Sequence, residues 1–307
     1  MRKTIVCCLT LIVVLAIAAP LTAAKPSKAA TVKEVNVTNE REFLNAIGSN
    51  TVINMRDLEN GYFVLSGKKT IGMSRNARYE EVFDGYQLVI SDVDGLTLVG
   101  TERGLSLIMA EPRYANVITF QNCRNLRFEN LGLGHTDAGY CTGGVLEFNN
   151  CQGISISNCE MWGCGMEGIT ASDCSGLDCE LSTIYGCTYS AMTMSRVKDV
   201  SFTNCVIRDN VEFNTLNFWN CQNVEFNGCV IFDNNAFGQW GTSYLIYSEA
   251  SKINFTDCAI FRNNVHELTN NPRIVRFDSC AVFKNEYEPI EDSREDEYWD
   301  YNYDEEW

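Results

Sequence analysis

The residues best suited to chemistry lie around one glycine-rich loop, residues 134–144. The loop contains His135 and Asp137, and a histidine beside a carboxylate can act as a general acid–base unit. Glu147 lies on the segment that follows the loop, and Glu167 ends the next loop. Paired carboxylates near one cleft are what glycoside hydrolysis needs. These four residues are the candidate catalytic set, the alternative being a plain turn with a packed histidine and solvated glutamates.

Aromatic side chains form a second group of candidates, because rigid rings can stack on sugars. We expect carbohydrate to bind at Tyr140 in the loop, at Tyr189 and Trp219, and at Trp162 and Tyr185. The last two begin a row with one member per sequence repeat: Trp162, Tyr185, Arg208, Phe232, Phe261 and Phe283. By alternation the row faces outward, as binding surfaces often do. It could also turn inward or be covered by the aromatic C-terminal tail.

The sequence predicts no metal site and no cofactor. His135 and His266 are the only two histidines, and there is no Cys-x-x-Cys motif, which argues against zinc. The outer face of the first strand of each repeat is polar but almost uncharged, which argues against a calcium cage. Its predicted outward residues are Thr119, Glu147, Thr170, Thr193, Asn217 and Ile246, with Gln121, Asn149, Ser172, Ser195, Trp219 and Ser248 beside them.

A sequence repeat from about Val117 to Asn285 carries these candidates. Its frame is Cys123-x-x-Leu126-x-Phe128-x-x-Leu131-x-Leu133. Further copies begin at Cys151, Cys174, Val197, Cys221 and Ala250, and a last one contains Val275 and Phe277, at intervals of 22 to 29 residues. A period of this size indicates a solenoid whose units bury their apolar faces against one another.

Each repeat contains three short segments of alternating apolar residues, which is the pattern of β-strands. So many strands in so few residues leave only short turns, and each repeat is therefore predicted to form one coil of an all-β, three-sided parallel β-helix. A leucine-rich repeat is the rival fold. It is disfavoured because the return half of the repeat carries a strand pattern rather than a helix pattern.

Two columns of residues should stabilise the coils. The position three after the third strand carries Cys164, Cys187, Asn210, Asn234, Asn263 and Asn285. We predict an asparagine ladder there, in which each amide donates to one neighbouring coil and accepts from the other. Most of the 15 cysteines also follow the repeat and point inward. We expect mostly reduced, packed thiols, although the strand spacing would permit disulfides.

The chain divides into three predicted parts. Residues 1–24 have the basic start, apolar core and small residues of a secretory signal peptide, the alternative being a membrane anchor. Residues 31–285 form the β-helix domain, and Asn39 with Glu42 predicts the start of a helix that caps its first coil. Residues 286–307 form an acidic tail with interspersed aromatics, either solvated or docked on the last coil.

The formal net charge of −16 predicts that the protein binds neither nucleic acid nor anionic membranes. No segment after residue 24 is long and apolar enough to span a bilayer, so no membrane insertion is expected after signal cleavage. We therefore expect a secreted or extracytoplasmic protein.

The coil pattern, the asparagine ladder and the N-terminal helix–strand entry resemble those of the right-handed parallel β-helix proteins of the pectate-lyase-like superfamily. The resemblance implies a right-handed coil with a capping helix, and a polysaccharide or glycan as partner. It does not define a reaction, because members include lyases, hydrolases, epimerases and proteins without known activity. Only Gly134-His135-Thr136 and Arg273-Ile274-Val275 resemble motifs of the polygalacturonases. The carboxylate motifs that precede them in that family are missing here.

The sequence thus predicts an exported protein that binds or processes extracellular polysaccharide, with a lyase- or hydrolase-like reaction if it is an enzyme. A non-catalytic adhesin and a protein-interaction scaffold are the alternatives. An ordered cleft that joins the four candidate catalytic residues would favour an enzyme. A flat, uncharged face with an exposed aromatic row would favour a binding protein.

Overall fold

The computed structural model describes residues 31–287 apart from 66, 68–72, 103, 138–140, 164 and 238–242. The chain divides into Met1–Thr31 and Val32–Trp307, and the description concerns the second unit. The predicted signal peptide, residues 1–24, and residues 288–307 of the predicted tail lie outside the described residues. Within the described part of the chain, no helix is both long and apolar enough to cross a membrane.

Three long sheets make up most of this unit, and from Leu96 to Phe261 each coil contributes one short strand to each sheet. Sheet 1 contains β1 (Lys33–Asn36), β2 (Thr51–Asn54), β6 (Leu96–Val99), β9 (Arg124–Glu129), β12 (Gln152–Ser157), β15 (Ser175–Glu180), β18 (Lys198–Thr203), β21 (Gln222–Asn227), β24 (Ile253–Thr256) and β28 (Val275–Asp278). Sheet 2 contains β3 (Tyr62–Leu65), β7 (Ser106–Ala110), β10 (Leu131–His135), β13 (Glu160–Trp162), β16 (Thr183–Tyr185), β19 (Val206–Arg208), β22 (Val230–Phe232), β25 (Ala259–Phe261) and β29 (Ala281–Phe283).

Sheet 3 completes the three sides. It contains β4 (Ala77–Val82), β5 (Gly85–Ser91), β8 (Ile118–Gln121), β11 (Leu146–Asn149), β14 (Glu167–Ser172), β17 (Ser190–Ser195), β20 (Leu216–Trp219), β23 (Tyr244–Glu249) and β27 (Glu267–Thr269). A short pair joins β26 (Asn264–Val265) to β30 (Glu286–Tyr287). The hairpin β4–β5 is antiparallel, and the other strand pairs are parallel. The predicted all-β parallel β-helix is confirmed.

Sharp turns between the sheets depend on residues in the left-handed backbone region. The turn from sheet 3 to sheet 1 places Asn122 at φ 55° and Asn150 at φ 53°, and the turn from sheet 1 to sheet 2 places Asn130 at φ 57° and Asn158 at φ 49°. Asparagine adopts this region at lower cost than most residues. Side chains of successive turns also bond, as Asn150 Nδ2 donates to Asn122 Oδ1 at 2.7 Å.

The predicted frame of the repeat is confirmed in sheet 1, where the inward phenylalanines stack. The ring centroids of Phe202 and Phe226 are 4.9 Å apart, those of Phe226 and Phe255 are 4.6 Å apart, and those of Phe255 and Phe277 are 5.2 Å apart. The first three rings are fully buried. Stacked aromatics on adjacent strands therefore form a continuous part of the core.

The frame is wrong at one strand, β23. It places Ile246 and Ser248 outward, but Ile246 aligns with the inward Leu216, and Tyr247 aligns with the outward Asn217. Ile246 and Ser248 are buried at 0% and 1% exposure. A shift of one residue moves every side chain of a strand to the other face.

The cause of this error is a turn that is one residue shorter than its predecessor. In the turn from sheet 3 to sheet 1, Val224 is the fifth residue after Trp219. In the next coil Ile253 is only the fourth residue after Glu249, which aligns with Trp219. Ser251 rather than Ala250 takes the place of Cys221, since the Cys221 backbone N–H donates to Ser251 Oγ at 2.8 Å.

The predicted asparagine ladder is present along the turn after sheet 2. Asn210 Nδ2 donates to Asn234 Oδ1, Asn234 Nδ2 to Asn263 Oδ1, and Asn263 Nδ2 to Asn285 Oδ1, each at 2.9 Å. Each Oδ1 also accepts a backbone N–H from the preceding coil, as in Asn234 N to Asn263 Oδ1 at 3.1 Å. These buried turns are thereby satisfied. Cys164 of the predicted column lies outside the described residues.

The inward cysteines serve as a second ladder. The described cysteines are all free thiols. The backbone N–H of Cys123 donates to Cys151 Sγ at 3.4 Å, and that of Cys151 donates to Cys174 Sγ at 3.3 Å. Ser182 has the same role for Cys159, whose N–H lies 3.0 Å from the serine oxygen. These side chains therefore satisfy backbone groups of the turns as well as filling the core.

The predicted N-terminal helix is α1 (Glu40–Ala46). Asn39 Oδ1 accepts from the Glu42 N–H at 3.1 Å, while a Glu42 carboxylate oxygen accepts from the Thr38 N–H at 2.8 Å, which is a reciprocal capping arrangement. Phe43 is fully buried and its ring centroid lies 5.0 Å from that of Phe63 in β3. The role of the helix as a cap of the first coil stays a prediction.

Candidate functional site

Two of the candidate carboxylates lie on adjacent strands of sheet 3. Glu147 lies on β11 between Thr119 of β8 and Thr170 of β14. Its Oε2 accepts hydrogen bonds from Asn116 Nδ2 at 2.7 Å and from Thr119 Oγ1 at 2.9 Å. Two donors on one oxygen fix the position of this carboxylate.

Glu167 begins β14, the strand next to β11. Its Oε1 accepts from Thr193 Oγ1 at 3.0 Å. Burial is the main factor that raises the pKa of the Glu167 carboxyl group above its usual value, and the charge of Glu147 raises it further. The two glutamates thus differ in environment, with Glu147 held by donors and Glu167 disposed to keep its proton.

Amides and hydroxyls fix both carboxylates in place. Gly144 N donates to Asn116 Oδ1 at 2.7 Å, which directs the Asn116 amide nitrogen at Glu147. On the other side of Glu167, Asn217 Nδ2 lies 3.5 Å from Thr193 Oγ1 and 2.8 Å from Ser190 Oγ. A polar network therefore extends along sheet 3.

An aromatic cluster follows this network along sheet 3. The ring centroids of Trp219 and Tyr247 are 5.6 Å apart, and those of Tyr244 and Tyr247 are 6.1 Å apart. Trp219 lies on β20, three strands from Glu147 on β11, which at strand spacing is roughly 14 Å. Beside the face, Tyr189 is 37% exposed and stacks on Phe213 with centroids 4.6 Å apart.

His135 occupies a different position from the glutamates. It ends β10, is 5% exposed, and its Nε2 lies 2.8 Å from the Ala115 carbonyl oxygen. That contact requires a proton on Nε2, while Nδ1 is buried without a hydrogen-bond partner among the described residues. Burial lowers the pKa of the imidazole, so its neutral form is favoured. Its partner Ala115 directly precedes Asn116, which donates to Glu147.

Asp137 has an environment that differs from those of the two glutamates and of His135. Its carboxylate pairs with Arg113 Nη2 at 2.9 Å, with Asp137 at 70% and Arg113 at 48% side-chain exposure. The structure thus gives His135 and Asp137 separate partners rather than joining them as one acid–base unit. Tyr140, the aromatic candidate of the same loop, lies outside the described residues.

The row that begins with Trp162 and Tyr185 faces outward on sheet 2, as alternation predicts, but its ring faces are covered. Trp162 packs over Gly134 and stacks on Tyr185 with centroids 6.3 Å apart. The Arg208 guanidinium covers the other side of Tyr185 at 4.2 Å. Phe232, Phe261 and Phe283 stack in the same way at 5.3 and 5.1 Å. Apart from Phe283, which ends the row and is 46% exposed, the row therefore presents ring edges rather than open faces to a sugar.

Sequence reasoning missed Asn116 and the Tyr244–Tyr247 pair. Asn116 lies in a loop just before a repeat begins, and no motif marks it. The two tyrosines were missed because the predicted register of β23 was wrong. The shorter spacing between Ile246 and Ile253 could have shown the correct register. Among the described residues, no group of three or more His, Cys, Asp or Glu side chains could hold a metal ion.

Comparison with known proteins agrees with the observed topology. A family model described as right handed beta helix region matches residues 143–295, whereas no curated protein sequence matches the chain. Among solved structures, alginate lyase from Paenibacillus sp. str. FPU-7 has a TM-score of 0.46 and 9% identity, covering 83% of this chain and 98% of that chain. The family 28 exopolygalacturonase of Yersinia enterocolitica has a TM-score of 0.30 and 12% identity, covering 79% and 64%.

A further match among solved structures is that of PfbA, a surface adhesin of Streptococcus pneumoniae. Its TM-score is 0.28 and its identity 10%, covering 86% of this chain and 87% of that chain. The family match and the three parallel sheets together decide the classification. The chain has the fold of a right-handed parallel β-helix.

Proposed function

We propose that the outer face of sheet 3 binds an extended, uncharged glycan and that Glu167 and Glu147 cleave a glycosidic bond in it. The observation that carries the proposal is the half-buried Glu167 carboxyl group, with its raised pKa, on the strand adjacent to that of Glu147. A protonated and an ionised carboxyl group on one face are the pair that glycoside hydrolysis uses.

The two residues would have different roles. Glu167 donates its proton to the departing glycosidic oxygen as the bond to the anomeric carbon breaks. Glu147, with Asn116 and Thr119 donating to Oε2, either removes a proton from the attacking water or attacks the anomeric carbon itself. In the second case water then releases the sugar, and Glu167 accepts the proton of that water.

The face also has the groups that an extended glycan needs. Half-buried hydroxyl side chains lie on adjacent strands of this face, about 4.8 Å apart: Thr170 and Thr193. Trp219 and Tyr247 lie further along the same face. A chain laid across the strands would thus contact the polar groups beside the carboxylates and the rings some sugar units away.

Charge favours an uncharged glycan over a polyuronate. Three cations of sheet 3 and its flanking turns are engaged by carboxylates: Arg78 with Glu80, Arg113 with Asp137, and Arg196 with Asp173. Glu147 and Glu167 add negative charge at the centre of the face. A polyanion would therefore meet these two carboxylates on a protein that already carries a formal charge of −16.

The test is a screen of the purified chain against polysaccharides for binding and for release of reducing ends. Glu167→Gln and Glu147→Gln should each lower turnover by about 10²–10⁴-fold while binding persists. Glu225→Gln is the matched control, because Glu225 is exposed on sheet 1, away from this face. Equal turnover by all three variants would exclude the pair as the catalytic groups.

A second candidate function is glycan binding without cleavage. The Trp219–Tyr247 cluster favours it, because the cluster does not depend on the carboxylates. Binding without released ends, weakened by Trp219→Ala but not by Glu167→Gln, would support this function. If no polysaccharide binds, the carbohydrate proposal fails and a protein-interaction scaffold remains.

Export is proposed because residues 1–24 have the sequence pattern of a secretory signal peptide. A protein that acts on extracellular polysaccharide has to leave the cytoplasm, and a basic start with an apolar core is typical of a cleaved signal. Expression of the full chain in a secretion-competent host should yield a form that begins near residue 25 outside the cytoplasm. An uncleaved chain retained inside the cell would contradict export.

A further inference from the structure

The last described coil of the β-helix is open at its outer end. This C-terminal rung consists of β27, β28 and β29, each the last strand of its sheet. Its inward side chains are exposed where those of earlier coils are not. Val282 is 39% exposed, whereas Ile260 and Ile231, at the same position of the preceding coils, are fully buried.

The same change occurs at other positions of the rung. Cys280 is half-exposed although Cys258, one coil earlier, is 2% exposed. The Phe277 ring stacks on Phe255 on one side only and is half-buried. A solenoid needs a terminal cover, because its last unit otherwise leaves one apolar side and three strand edges in water.

The charge of this end differs from that of the whole chain. Arg273, Arg276 and Lys284 are exposed, and none of them makes an ion pair with another described residue. The protein as a whole carries −16. The open end therefore combines an apolar surface with three exposed cations, beside Glu267, Asp278 and Glu286, which suits a partner that combines aromatic with acidic residues.

Residues 288–307 have that composition and start in the right place. They contain ten acidic residues and one arginine, together with Tyr298, Trp299, Tyr301, Tyr303 and Trp307. They follow β30, whose Tyr287 is 52% exposed and pairs with Val265 beside the C-terminal rung. Extended chain covers about 3.3 Å per residue, so a segment comparable in length to one repeat can cross the end of the coil.

We propose that residues 288–307 fold back over the C-terminal rung and cover its open end, with the aromatics on Val282 and Phe277 and the carboxylates near Arg273, Arg276 and Lys284. This contact closes the core and prevents end-to-end association of two copies through the free strand edges. It is independent of the function proposed for sheet 3.

Cys280 provides a native probe, because its thiol lies within the surface to be covered. We would alkylate the intact full chain with N-ethylmaleimide and follow Cys280 by peptide mass spectrometry, with half-exposed Cys141 as internal reference. The test variant replaces the five tail aromatics together: Tyr298→Ser, Trp299→Ser, Tyr301→Ser, Tyr303→Ser and Trp307→Ser. Cys280 should react at least ~10-fold faster in this variant, since labelling follows the uncovered fraction, while Cys141 reacts at the same rate.

A charge variant gives an independent measurement that leaves the tail intact. Arg273→Glu, Arg276→Glu and Lys284→Glu together should also accelerate Cys280 labelling, and Lys198→Glu, exposed on an earlier strand of sheet 1, is the matched control. Equal Cys280 rates in the parent and both variants would overturn the proposal. Protection that persists in the tail variant and grows with protein concentration would also overturn it, because a second copy would then be the cover.

Discussion

The raised pKa of Glu167 affects stability as well as reactivity. The carboxyl group ionises less readily in the folded protein than in the unfolded chain, where its pKa is near the usual 4.5. Above that pH the unfolded chain loses its proton first, so stability falls as pH rises through the folded pKa and is then constant. Glu167→Gln removes this loss, and its melting temperature relative to the parent should rise between pH 4 and 7.

The control for this prediction is Glu225→Gln, which changes an exposed glutamate on sheet 1. Its melting temperature relative to the parent should stay constant over the same pH range. A constant difference for Glu167→Gln as well would show that Glu167 ionises normally, and the acid role proposed for it would lose its basis.

His135 should behave as a positioning residue with a pH dependence of the opposite sign. Burial depresses the pKa of its imidazole below the usual 6.5. The unfolded chain therefore takes up the proton first as pH falls, so that stability is lost below about pH 6.5. His135→Gln keeps an N–H donor for the Ala115 carbonyl and should abolish this loss, whereas His135→Ala should lower stability at every pH.

The measurement is thermal unfolding at pH 7.5 and 5.0, combined with glycan binding at pH 7.5. Loss of the Ala115 contact should loosen Asn116 and weaken binding in His135→Ala, with partial recovery in His135→Gln. If His135→Ala kept parent binding but lost all turnover, His135 would be a direct acid–base group and the positioning role would be wrong.

At the level of elements, the asparagine ladder should stabilise the stack of coils. Asn234→Ala leaves the backbone N–H of Asn210 and the carbonyl of Ile207 without their partners in a buried turn. We expect a cost of about 1–3 kcal/mol in the free energy of unfolding. Denaturant unfolding measures it, with Asn254→Ala on the exposed side of β24 as the control. Equal midpoints for the two variants would contradict a structural role for the ladder.

The regular elements could be predicted from the sequence because every coil repeats the same burial pattern. Phe202, Phe226 and Phe255 occupy one inward column and each is fully buried. The pattern failed at β23, since alternation fixes the face of a strand only if the turn length is known. Ser251 takes the position that cysteine occupies in other coils, which identifies the correct register. Its side chain accepts a backbone N–H from the preceding coil, as the Cys151 side chain does.

The candidate site was less predictable than the fold. Glu147 follows from the strand pattern, whereas Glu167 was expected at the end of a loop and is the first residue of β14. The contact between His135 and Ala115 depends on how two loops of different coils meet, and no local pattern contains that information. The same holds for Asn116, whose amide is oriented by Gly144 from the next coil.

At the scale of the whole molecule, charge decides which polymers can approach sheet 3. The formal charge of −16 gives a long-range repulsion of polyanions that acts before any contact forms. An uncharged glycan does not experience it. The ionic strength at which binding is measured should therefore separate the two classes of ligand, whatever the sugar is.

A matched pair of polymers makes this prediction sharp: polygalacturonate and the same backbone with its carboxylates methyl-esterified. Raising NaCl from about 20 to 200 mM shortens the Debye length from roughly 20 to 7 Å. Affinity for the esterified polymer should stay within about twofold, because no charge is screened. Polygalacturonate should bind more weakly, and its affinity should rise with salt as the repulsion is screened. Strongest binding of polygalacturonate at low salt would instead require an attractive cationic surface, and the uncharged-glycan assignment for sheet 3 would then be wrong even though glycan binding itself stands.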